Sequence, residues 1–123
     1  MKIIIEAIPK TQMRYDTAGD WFQDGDDLRI QVDDDLPVDE QFLIALHELV
    51  EVKLCVMRGV SQAMVDSFDV EEWPRLVAEQ PGLAETEPGD HPSAPYRKEH
   101  RAAALVEHFA ASLMGLDNYG VVA

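Results

Sequence analysis

Phe42-Leu43-Ile44-Ala45-Leu46-His47-Glu48-Leu49-Val50-Glu51-Val52-Lys53-Leu54-Cys55-Val56-Met57 is the longest apolar stretch of the chain, and its reading decides the fold. It reads as the body of a helix that begins near Val38 or Asp39, just after Pro37, and runs to Arg58. Gly59 is its natural stop. On a wheel of about 100° per residue centred on Leu46, the residues Phe42, Leu43, Leu49, Val50, Val56 and Met57 fall within about 80° and form the predicted core face. His47, Glu48 and Glu51 lie on another arc, with the apolar Ile44 one turn before them and Cys55 one turn after. Residues four apart share a helix face, so the imidazole of His47 and the carboxylate of Glu51 converge on one point, with Glu48 beside them.

Working outward, Ile3-Ile4-Ile5 and Ala7-Ile8, stopped by Pro9, read as a β-strand. Trp21-Phe22 and the alternating Leu28, Ile30 and Val32 flank a turn cluster around Asp24-Gly25, which predicts a hairpin over 20–33. Ser61 can cap a short helix over roughly 62–68, and 69–80 can hold a further helical turn. Residues 81–95 carry four Pro and two Gly among acids and read as a long loop. The last helix is expected from Pro95 to Leu116, with Pro near its start and Gly115 near its end. The expected fold is α+β: one domain over 1–123, with a small antiparallel sheet of about three strands packed on two main helices.

At 123 residues with 46% hydrophobic content, the chain can bury a real core. Its net charge of −14 opposes binding to a phosphate backbone, so no nucleic-acid partner is expected. Cys55 is the only cysteine, which excludes an internal disulfide and a Cys-rich zinc site. The apolar start, Ile3-Ile4-Ile5 before Glu6, is too short for a signal peptide, and no run approaches a membrane span. A cytoplasmic location without a membrane partner is therefore expected. There is no G-x-G-x-x-G, P-loop or G-x-S-x-G motif.

Two carboxylates and an imidazole in a poorly solvated patch cost several kcal/mol unless they are paired or hold a cation. A divalent metal bound by His47 and Glu51 would compensate them, and Glu48 would then be placed to activate a metal-bound water as general base. The competing reading is a solvent-facing stripe with Arg58 or Lys53 as ion-pair partners. A catalytic site of this kind needs a third ligand. His91, in the acidic loop, and His108, among Arg97, Arg101 and Ala104, read as exposed. His100 is the leading candidate, near Tyr96 and Glu107 on the last helix. Glu99, aligned with Ala103, Val106 and Ala110, is either a ligand, a partner for Arg58 or an acid favoured by the helix dipole. Asp69 is the alternative ligand, or a cap for the turn after it. Trp21, Phe22 and Trp73 read as core, Tyr96 as packing, and Cys55 as a small buried hydrophobe.

His47-Glu48-Leu49-Val50-Glu51 resembles the H-E-x-x-H active-site helix of zincin metallopeptidases, with Glu51 where those enzymes place histidine. That likeness implies a zincin-like domain with a bound divalent metal, zinc first and manganese or iron next. It also implies hydrolysis of a peptide bond, with a peptide or protein as partner. Across nearly its whole length the chain also resembles small uncharacterised phage and prophage proteins. The segments that carry this likeness are Met1–Pro9, His47–Glu51, Val65–Asp69 and Gly89 through Pro95-Tyr96 to Glu99-His100. This second resemblance implies that Glu99-His100 partners the first-helix motif. The expected function is that of a metal-binding protein, a metal-dependent hydrolase; the alternative is a non-catalytic accessory protein acting as a protein-interaction module.

Overall fold

Asp24 and Asp27 face each other across the tip of a hairpin, leaving Gly25-Asp26 as a two-residue turn between β2 (Gly19–Asp24) and β3 (Asp27–Asp33). Gly25 has φ +59°, the positive value required at the first central position of a type II′ turn. In the computed structural model, which describes residues 1–120, β1 (Ile3–Ile8) lies along the other edge of β3. It runs parallel, with Ile3 beside Leu28 and Ile8 beside Asp33. The sheet is therefore mixed, in the order β1-β3-β2, which corrects the expected antiparallel one. The chain between β1 and β2 does not turn straight back but crosses to the far edge, and that crossing sets β1 parallel to the central strand.

Arg14 fixes this crossing segment. Its guanidinium grips both oxygens of Asp20 (2.8 and 2.9 Å) and both of Asp66 (2.9 and 3.1 Å), and it lies 4.7 Å from the centre of the Phe22 ring.

The first helix, α1 (Val38–Arg58), has the predicted bounds. Gly59 closes it with φ +74°, while the N–H of Val60 returns to the Cys55 carbonyl at 2.9 Å. After it, α2 (Gln62–Asp66) is capped by Ser61, whose hydroxyl accepts from the Met64 N–H at 3.2 Å. The helix continues through a π-helical stretch, Ser67–Glu72, into α3 (Trp73–Glu79). The predicted loop contains two short 3-10 turns, Pro81–Glu85 and Pro88–Asp90.

The last helix, α4 (Arg97–Leu113), is shorter at both ends than expected. Its start is displaced because the Arg97 N–H bonds the Ala94 carbonyl at 3.2 Å, so Pro95 and Tyr96 form a turn ahead of the helix. Its end comes early because Gly115, at φ +81°, lets the Leu116 N–H fold back onto the Ala111 carbonyl at 2.9 Å.

The sheet covers one side of α1 and α4 covers another. Ile30 of the central strand is fully buried among Trp21, Val52, Cys55, Phe68 and Tyr96. The deep face of α1 is displaced from the one centred on Leu46, keeping Leu43 and part of Leu49 from the expected set. Leu43, His47, Glu51, Val52 and Cys55 are buried, whereas Phe42, Val56 and Met57 are 57%, 69% and 68% exposed. A wheel weighs only the apolar content of one helix. Here the sheet and α4 arrive on the arc that carries the polar groups, and that arc becomes the interior.

Ile30→Ala is expected to lower the unfolding free energy by roughly 2–5 kcal/mol in chemical denaturation, the usual range for a fully buried aliphatic side chain. Ile3→Ala, on the half-exposed flank of β1, should change it by less than about 1 kcal/mol.

Candidate metal centre

His47 and Glu51 occupy successive turns of the buried stripe of α1, and α4 brings His100 up to them from the other side. Three atoms converge. His47 Nε2 lies 3.0 Å from Glu51 Oε2 and 3.2 Å from His100 Nδ1, and His100 Nδ1 lies 3.1 Å from Glu51 Oε2. The three side chains are 9%, 6% and 8% exposed. A tetrahedral zinc ion with bonds of about 2.0–2.1 Å holds its ligand atoms about 3.3 Å apart, close to this near-equilateral triangle. These residues alone, among those described, unite three buried ligand atoms at such range.

Each of the three is also held from behind. His47 Nδ1 meets Glu107 Oε1 at 2.7 Å, and the other Glu107 oxygen accepts from the Tyr119 hydroxyl. Trp21 donates its indole N–H to Glu51 Oε1 at 3.1 Å, leaving Oε2 for the triangle. Glu87 Oε2 stands 2.8 Å from His100 Nε2, but off the axis of the ring N–H. The contact is thus an ion pair and not an aligned hydrogen bond. Carboxylates and fixed donors on the far atoms of ligands set the tautomer and the ring orientation at metal sites.

Two glycines let the backbone close in. The imidazole of His100 lies against Gly89, where a Cβ would stand 2.3 Å from the ring Cγ. At Gly19 a Cβ would stand 2.5 Å from Ile44 Cγ2 and 2.9 Å from Glu48 Oε1, so β2 can approach the helix here only as glycine.

The electrostatics follow from this crowding. Burial opposes charge on His47, but hydrogen bonds to Glu107 and Glu51 override it and raise its pKa to about 10. Burial likewise opposes charge on His100, and Glu51 and Glu87 raise it to about 9. For Glu51 the two imidazoles outweigh burial and hold the carboxyl below its ordinary range. Glu48 goes the other way: burial, then the charge of Glu51, push it well above that range. Burial drives the Cys55 thiol up to about 12, which leaves it an inert core side chain.

The predicted ligands separate accordingly. His47, Glu51 and His100 come together, and Glu48 lies beside them. Glu99 is buried but stands outside the triangle, its carboxylate 3.9 Å from Arg58 Nε. Asp69 is engaged elsewhere, accepting from the Tyr96 hydroxyl at 2.5 Å and the Tyr15 hydroxyl at 3.0 Å. Burial, only partly offset by those donors, raises its pKa to about 6. His91 is half-buried against Phe68 and Trp73, not exposed, while His108 is exposed as expected.

The solvent-facing reading of the first-helix motif fails, since His47 and Glu51 are buried. Glu107 escaped recognition as a site residue although it lies two turns after His100 on the same helix, a spacing that could have found it. Glu87, Gly89, Gly19 and Tyr119 carry no such signal. They reach the site through the tertiary fold. The triangle forms part of the wall of a cavity of about 730 Å³, which is also lined by Tyr15, Asp69, Trp73, Pro74 and Val77.

No family model matches the chain, and neither the curated proteins nor the solved structures returned a match. Among the described residues no helix is long and apolar enough to cross a membrane.

Gly89→Ala should destabilise the protein by about 1–3 kcal/mol in chemical denaturation, as overpacking does elsewhere. Gly82→Ala, where a Cβ meets nothing within 4 Å, should be close to neutral.

In chelator-treated protein the contribution of the two imidazoles is complete below their ordinary value of 6.5 and is lost as pH rises through about 9 and about 10. That of Glu51, whose pKa is depressed, is complete above 4.5 and is lost as pH falls below it. Stability should therefore peak between these limits and fall toward pH 10, and urea denaturation across pH checks it. His47→Gln should flatten the alkaline limb.

Proposed function

We propose that this protein binds one divalent metal ion through His47 Nε2, Glu51 Oε2 and His100 Nδ1, and that it is a metal-dependent hydrolase acting on peptide-like bonds. The observation that supports the site most is the set of supports behind the triangle: Glu107 on His47, Trp21 on Glu51 and Glu87 on His100. Zinc suits two nitrogens and one carboxylate best, with manganese or iron as alternatives. Three protein ligands leave a further position open, the pattern of catalytic rather than structural sites. When bound, such an ion polarises a carbonyl and makes water more acidic.

The chain's own residues supply the rest. Glu107 faces Nδ1 of His47 as an acceptor, which would leave Nε2 to present its lone pair to a bound ion. Glu48 is the general base, taking a proton from the attacking water and passing it to the leaving group. Burial, and then the charge of Glu51, raise the Glu48 carboxyl above its ordinary range. With a cation held by His47, Glu51 and His100, the charge of Glu51 would be offset and Glu48 would more readily take the carboxylate form that a base requires.

A second reading is a non-catalytic protein-interaction module. It draws on the outer face of α4, where Leu105, Phe109 and Leu113 are 74%, 66% and 75% exposed at successive turns.

Titration of untagged, chelator-treated protein with zinc should reach one equivalent, and both His47→Ala and His100→Ala should lower affinity by at least about 100-fold. Uptake of no zinc, manganese or iron would overturn the site. Glu48→Gln should retain zinc while reducing cleavage of a fluorogenic peptide library by about 100-fold or more. A loaded wild-type protein that cleaves nothing favours the interaction module.

A further inference from the structure

The cavity beside the triangle is built for one sign of charge. Trp73, Pro74 and Val77 line an apolar part of it, and seven carboxylates stand on its wall against a single lysine. Glu51 would be neutralised by a bound dication. Asp69, Glu87 and Glu107 remain around it, so their charge outweighs the surplus of the ion. Lys10 is the one lysine or arginine on the wall among the described residues. It sits at the rim, held 3.1 Å from Asp16.

Arg14 lies close by and could have balanced the cavity, but its Nε, Nη1 and Nη2 are all committed to Asp20 and Asp66. The donors on Asp69 are two neutral phenols, which satisfy its oxygens without cancelling its charge. Within a partly desolvated cavity, charges like these are screened much less than on an open surface. The net charge of −14 extends the same sign beyond the opening and would steer cations toward it.

We infer that this site selects ligands bearing an ammonium or guanidinium group next to the bond presented to the metal, and rejects those bearing a carboxylate or phosphate. The triangle fixes where the reacting carbonyl docks, the apolar wall accepts an alkyl stem, and the surrounding carboxylates receive the cationic end. Arginine and lysine side chains have this build, with an apolar stem and a charged tip. The inference rests on the metal reading and adds a substrate class to it.

Three hydroxamates of matched length test it, because the hydroxamate group anchors each to the metal and the tail alone varies. 6-Aminohexanohydroxamate, hexanohydroxamate and the monohydroxamate of adipic acid carry ammonium, neutral and carboxylate tails. Affinities are measured by calorimetry at pH 7 and low salt on the full chain, with zinc content determined in the same sample. The ammonium tail should bind at least about tenfold more tightly than the carboxylate tail, with the neutral one between. The gap should narrow in 0.5 M salt and in Glu87→Gln.

Equal affinities, a preference for the carboxylate tail, or no binding by zinc-loaded protein would overturn the charge selection while leaving the metal site standing. Protein that takes up no zinc would overturn both.

Discussion

The contact between α1 and α4 at His47, Glu51 and His100 is the constraint on which the rest of the structure depends. Ionisable groups this well buried are tolerated only when their charges and hydrogen-bonding atoms are answered. Here Glu51 faces two imidazoles through one oxygen and the Trp21 indole through the other, and each imidazole has a further carboxylate at its outer nitrogen. The arrangement ties four parts of the chain to one point: the edge strand β2, the first helix, the loop before α4, and α4 itself. Removing any one leaves a buried polar group with a partner fewer.

That demand explains features that look incidental in isolation. Gly89 and Gly19 are needed because the backbone must come within side-chain contact of the His100 ring and the Glu48 carboxylate. The loop from 81 to 95, rich in proline and glycine, is folded into 3-10 turns that bring Glu87 and Asp90 over His100. Arg14 binds the crossing segment to β2 and α2, and so fixes the cavity wall that carries Tyr15. Tyr15 and Tyr96 then meet on Asp69, a carboxylate outside the triangle. The cavity that results is anionic because the cations that might balance it are spent on these structural contacts.

Some of this is legible in the residues alone. The bounds of α1 follow from Pro37 and Gly59, since one presets helical φ next to the first turn and the other permits the left-handed closure. The hairpin follows from alternation on both sides of a turn cluster, and Ser61 caps the helix it was expected to cap. The i, i+4 geometry of His47 and Glu51 is a local property of any helix, so their convergence needs no tertiary information. His100 stands in the triangle as the sequence suggests, but Glu99 beside it turns to Arg58 and Asp69 to its tyrosines. Neighbours on a helix point about 100° apart, and which of them meets α1 depends on how α4 is rolled.

The sequence by itself determined the extent of the first helix, the Ser61 cap, the hairpin and the pairing of His47 with Glu51, because those rest on contacts within a few residues. Only the tertiary structure decided the parallel placement of β1, the burial of the polar rather than the apolar arc of α1, and the choice of third ligand. It alone brought Glu107, Trp21 and Glu87 behind the triangle. Each of these depends on which surfaces meet across long stretches of chain. That outcome is set by compensating buried charge and filling space over the whole domain, which no local pattern records.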